Sequence, residues 1–109
     1  MKFKGEYLKG KRNGKGKEYF FNGKLLFEGE YSNNKKWNGK GYDENGNIIY
    51  ELINGNGKVK EYDYNGILIF EGEYLNGKRN GKAKEYLDGK LISECEYLNG
   101  EPKINCTIY

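Results

Sequence analysis

Glutamates at Glu6, Glu30, Glu73 and Glu96, and lysines at Lys17, Lys60 and Lys84, are the residues with the most evident capacity for chemistry. Paired carboxylates beside amines are the material of general acid–base catalysis. Here, though, each set recurs at one fixed position of a repeating pattern. A solvated sheet face carrying cross-strand Glu–Lys pairs, each worth about 0.2–1 kcal/mol, explains that rhythm without catalysis. Histidine is absent and serine occurs only at Ser32 and Ser93. The chain therefore reads as non-enzymatic, with no catalytic, metal or cofactor-binding residue assigned. GKRNGKG invites a phosphate-loop reading, but it has three residues between its glycines where the pattern needs four, and no hydroxyl follows the lysine.

Cys95 and Cys106 could form a disulfide if the last hairpin sets them face to face. An intracellular setting and a space-filling role favour free thiols instead. Cys106-Thr107-Ile108-Tyr109 outlines a prenylation box, but tyrosine is not a usual final residue. Asn105-Cys106-Thr107 fits a glycosylation sequon, which has no use without a secretory signal.

The elements that must position these groups are short strands. Of 109 residues, 36% are hydrophobic and 16% aromatic, with 17 glycines and one proline. That mixture suits thin antiparallel sheets joined by tight turns, in one domain over residues 1–109. The net charge of +3 is too mild to imply nucleic acid, and none is expected as a partner. No apolar run reaches transmembrane length and MKFKGEY has no signal-peptide core, so a soluble cytoplasmic protein is expected.

FKGEYLKGKRNGKGKEY (Phe3 to Tyr19) returns as FEGEYLNGKRNGKAKEY (Phe70 to Tyr86), with 14 of 17 positions identical. Units begin at Phe3, Phe27, Tyr50, Phe70 and Ser93, spaced by 24, 23, 20 and 23 residues. Each full unit alternates as a strand, passes a polar turn such as LKGKRNG, and alternates again. It then reaches Asn22-Gly23, Asn45-Gly46, Asn65-Gly66 or Asp88-Gly89, which are strong hairpin signals. About ten antiparallel strands and no helix follow from this grammar.

The phrase F-x-G-E-Y-x-x-G-K-R-N-G-K-G, followed by N-G and another F-E-G-E-Y, resembles the MORN (membrane occupation and recognition nexus) repeat along the whole chain. The Asn-Gly-Lys-Leu phrasing near Gly23 is similar to MORN-variant repeats of some bacterial antitoxin-like proteins. The resemblance implies an all-β, elongated twisted ribbon, an open solenoid-like meander of about five stacked hairpins that serves as a scaffold or partner-binding module. One hairpin alone has nothing to bury its apolar face against, so stacking is also required physically.

Two glycine columns accompany the aromatic ones: Gly5 with Gly16, Gly29 with Gly41, and Gly72 with Ala83. They become Leu52 with Val59 in the shortened third unit, and Cys95 with Cys106 in the fifth, which reads as a cap filled by Cys95, Ile104 and Cys106. In unit three, Asn54-Gly55 is expected to form a two-residue turn.

The leading functional expectation is another protein bound on the aromatic-rich face, with Tyr7, Tyr31, Tyr74 and Tyr97 as anchors. Trp37, an extra residue in the turn of unit two, stands beside them as a partner contact or a packing residue. The alternative is a peripheral membrane module whose basic turns (Lys9, Lys11, Arg12, Lys35, Lys36, Lys78 and Arg79) form a rim for anionic phospholipids. Such lysines also serve simply to protect an edge. An immunity or antitoxin-like role rests on the bacterial resemblance alone, and the open sheet ends leave self-association as a further expectation.

Overall fold

The computed structural model describes residues 2–63 and 65–109, with the side chain of Ile104 outside that description. Every named element is a strand: β1 (Lys2–Leu8), β2 (Lys11–Tyr19), β3 (Leu25–Ser32), β4 (Lys35–Tyr42), β5 (Ile48–Leu52), β6 (Gly57–Tyr62), β7 (Leu68–Leu75), β8 (Lys78–Leu87), β9 (Lys90–Leu98) and β10 (Glu101–Ile108). They form two five-stranded antiparallel sheets in chain order, β1 to β5 and β6 to β10. The all-β meander expected from period-2 patterning is present.

The turns differ from their sequence assignment in an informative way. On one edge the chain reverses through two left-handed residues only: Lys9-Gly10, Asn33-Asn34, Asn54-Gly55, Asn76-Gly77 and Asn99-Gly100. KRNG, read as part of the turn, belongs to the following strand. On the opposite edge only the glycine of Asn22-Gly23, Asn45-Gly46 and Asn65-Gly66 is left-handed, while Asp88-Gly89 reverses through two left-handed residues. Asp43 and Asp63 organise two of these longer turns by accepting backbone N–H bonds from Asn45 and Asn47, and from Asn65 and Ile67.

The hydrogen-bonded ladder stops at the third hairpin. Asn54-Gly55 makes the expected two-residue turn, closed by reciprocal bonds of 3.0 Å between Ile53 and Asn56, but that bridge is isolated. Unit three has lost two residues on each side of its turn, which removes the length along which β5 and β6 would pair. Leu52 and Val59 fill the space between them and are almost wholly buried. They join Phe27, Tyr31, Tyr50, Phe70, Ala83, Cys95 and Tyr97 in one core shared by both sheets. The molecule measures 38 × 28 × 23 Å.

The glycine columns need one correction. Gly29 faces Gly39, and Gly41 instead lies between Phe27 and Tyr50. From the pair Tyr31–Lys36 to the close approach β4 carries one bulged residue, where β2 carries two between Arg12 and Gly16, so Gly39 takes that place. In the fifth hairpin Cys95 and Cys106 stand directly opposite each other and are bonded, so the expectation of free thiols gives way to a cross-strand disulfide. The expected contribution of Ile104 to this cap lies outside the described residues.

Candidate functional site

Alternation along β2, β4 and β8 sends neighbouring basic residues to opposite faces. Lys11 and Lys78 stay exposed, whereas Arg12, Lys36 and Arg79 turn inward. The Arg12 guanidinium lies 4.0 Å from the Phe3 ring centroid, and Arg79 lies 4.0 Å from that of Phe70. Lys36 sits 4.8 Å over Phe27. Each is a cation–π contact in a partly desolvated place.

These cations, with a tyrosine of the same unit, clasp a glutamate of the unit before. Tyr31 donates to Glu18 at 2.8 Å, and Lys36 lies 3.5 Å from the same carboxylate. One repeat pair further on, Tyr74 donates to Glu61 at 2.6 Å and Arg79 grips it through Nε and Nη2 at 3.0 and 2.8 Å. Tyr97 donates to Glu85. Between units two and three the clasp is missing as a whole. Gly41 stands where the glutamate would be, and the shortening of unit three removes both tyrosine and cation. Arg12 pairs with Glu18 of its own unit at 2.6 Å.

The electrostatics agree with closed, neutralised clusters. Burial, then Glu18, pushes the Tyr31 hydroxyl far above its usual range. Burial, then Glu61, does the same to Tyr74. Arg79 is raised chiefly by its hydrogen bonds to Glu61. Burial pulls Lys36 down, but Tyr50, Glu18 and Glu61 together outweigh it and hold the amine above its ordinary value. Among the described residues, no buried side-chain nitrogen or oxygen lacks a partner. Such groups stabilise junctions and are not poised to exchange protons.

A second set of bonds ties the hairpin tips into a row. The side chains of Asn13, Asn38, Asn56 and Asn80 accept from the backbone N–H of Asn33, Asn54, Asn76 and Asn99 in the next tip. Backbone bonds accompany them, from Gly55 to Trp37 at 2.7 Å and from Gly77 to Gly55 at 2.9 Å. The row therefore crosses the break between the sheets.

Against this geometry the predicted contact residues separate. Tyr31 and Tyr97 retain 4% and 5% exposure and belong to the core, so they offer a partner no surface. Tyr74 is half-buried with its hydroxyl committed to Glu61. Tyr7 is 60% exposed. Trp37 is the bulged residue between Lys36, opposite Tyr31, and Asn38, opposite Glu30. Its ring is half-buried against the Gly55 and Gly77 tips. The seven-residue basic rim shrinks to Lys9, Lys11, Lys35 and Lys78, of which Lys35 is half-buried against Gly77.

What the sequence reading passed over is apolar. Leu8, Ile53, Leu75 and Leu98 each directly precede a tip, and all are exposed. Ser32 holds the position in unit two. The signal was available in the recurring YLKG and YLNG, where a leucine sits on the solvent side of the alternation. The second sheet also carries a groove of about 670 Å3 over Gly72 and Ala83. Its walls alternate in charge, as in Lys58 opposite Glu73 and Lys60 opposite Glu71, and so largely neutralise themselves.

Comparison with curated proteins finds no match. The MORN repeat pattern matches residues 3–24, 27–41 and 70–90, and the MORN repeat variant matches 38–53 and 55–76. The first variant match spans the junction of units two and three, where the Glu–Tyr–cation clasp is lost. The second starts in the shortened third tip but includes Glu61 and Tyr74 of an intact clasp. With the repeat pattern matched over more than half of its length, the chain belongs to the MORN repeat family.

Proposed function

We propose that this chain is a non-enzymatic scaffold that binds another protein along its row of hairpin tips, with the five hairpins acting as one open ribbon. Exposure of Leu8, Ile53, Leu75 and Leu98 at one repeat position carries the proposal. A solvent-facing apolar residue at one position is ordinary; the same position left apolar in four of five units makes a strip. Trp37, wedged between two of these tips, supplies the rigid aromatic group that binding sites favour. The tyrosine face proposed from sequence contributes Tyr7 at its end.

A second reading has its own observation: Lys9, Lys11 and Lys78 are exposed beside this strip, a combination suited to an anionic membrane surface. The quadruple variant Leu8→Ser, Ile53→Ser, Leu75→Ser, Leu98→Ser separates the readings. Protein scaffolding predicts that partners captured by the wild type are lost by the variant, while neither chain sediments with anionic vesicles. Equal capture by both chains contradicts the tip assignment. Salt-sensitive sedimentation of the wild type with anionic vesicles alone would favour the membrane.

A further inference from the structure

We propose that the free edge of β1 pairs with β1 of a second copy, antiparallel and centred on Gly5. In this chain β1 is bonded to β2 on one side only. Around Gly5 its sequence is its own complement: reversed against itself, Gly5 meets Gly5, Lys4 meets Glu6, and Phe3 meets Tyr7. A two-fold interface requires this, since each residue must suit the one that faces it and the reverse.

The same arrangement already holds inside the chain. Gly16 faces Gly29, flanked by Lys15 opposite Glu30 and Lys17 opposite Glu28. Pairing of β1 with its copy would repeat that junction, with the charges arranged symmetrically. It would also cover Tyr7, which is 60% exposed although its counterparts Tyr31 and Tyr97 are buried.

Lys4 is the residue that singles out this edge. Glu28, Glu51, Glu71 and Glu94 occupy its position in the other units. Within the sheet, lysine there is the poorer choice, because it faces Lys17 where Glu28 faces Lys40 and Glu71 faces Lys84. Like charges directly opposite are destabilising. At the free edge the preference reverses, since glutamate at position 4 would meet Glu6 of the copy. An isolated edge lysine deters pairing; a lysine two residues from a glutamate on one face invites its mirror image. β10, the outer edge of the second sheet, has no such symmetry and carries Pro102, which lacks a donor.

Lys4 and Glu6 are exposed, so charge reversal tests the pairing without disturbing the core. Sedimentation velocity of the 109-residue chain, from about 1 µM to about 500 µM, is expected to show a monomer–dimer equilibrium. Lys4→Glu alone and Glu6→Lys alone should each weaken it by about tenfold or more. An equimolar mixture of the two variants should dimerise again, because each then presents what the other lacks. A wild type that stays monomeric throughout, or single variants that dimerise as the wild type does, overturns the proposal.

Discussion

Tyr31 combines two roles that a sequence pattern cannot separate: a large ring in the core and a hydroxyl committed to a carboxylate of the neighbouring unit. Its position was legible in the repeat, and its inaccessibility was not. The alternation that shows which residues share a face does not show which face is covered. Arg12 and Lys36 illustrate the same limit. They were grouped with Lys9 and Lys11 as turn residues, but the turn closes after two residues and the strand begins sooner, so alternate cations turn inward. The clasp has a consequence in alkali. The Tyr31 and Tyr74 hydroxyls are raised by burial and by their glutamates, and Lys36 is held up by its neighbours. The unfolded chain releases these protons near their ordinary values, and the folded chain retains them to higher pH. Their stabilisation is therefore full below about pH 10 and declines as pH rises beyond it. Thermal melts should show a falling Tm in that window. Tyr31→Phe is expected to lose about 1.5–3 kcal/mol at neutral pH, where the hydrogen bond is missing, and to show a shallower alkaline decline. An unchanged slope would remove Tyr31 from the cause.

At the scale of the strand and the hairpin, the sequence was most informative where backbone geometry is strict. Asn54-Gly55 forms the turn its residues demand, and the strands follow their period-2 runs. Less visible were the bulges that shift register by one or two residues. These transfer the close approach in unit two from Gly41 to Gly39. A side chain at Gly29 would run directly into the Asn38 carbonyl and the Gly39 backbone, neither of which can step aside. Gly29→Ala should cost about 3 kcal/mol by forcing apart two strands in the middle of a sheet. Ala83→Gly, at a site already built around a methyl group, should cost only about 1 kcal/mol. Chemical denaturation of both variants checks the contrast, and equal losses would refute the role given to close backbone approach at Gly29. The shortened third unit is coherent on the same terms. Gly41 leaves no carboxylate to clasp, and unit three has neither the tyrosine nor the cation that would have clasped it.

For the whole molecule, two sheets share one core while the hydrogen-bonded tips continue across the break. The side chains facing the core hold the junctions, and those that precede the tips remain free to meet another molecule. This division is the central claim, and a paired comparison of Tyr31→Ala with Leu75→Ser tests it most directly. Thermal stability and capture of one chosen wild-type partner would be measured on both. Tyr31→Ala should lose about 3–5 kcal/mol of stability, while its residual folded fraction still captures the partner. Leu75→Ser should keep its stability within about 0.5 kcal/mol and lose capture. A folded Leu75→Ser chain that captures as well as the wild type would contradict the claim.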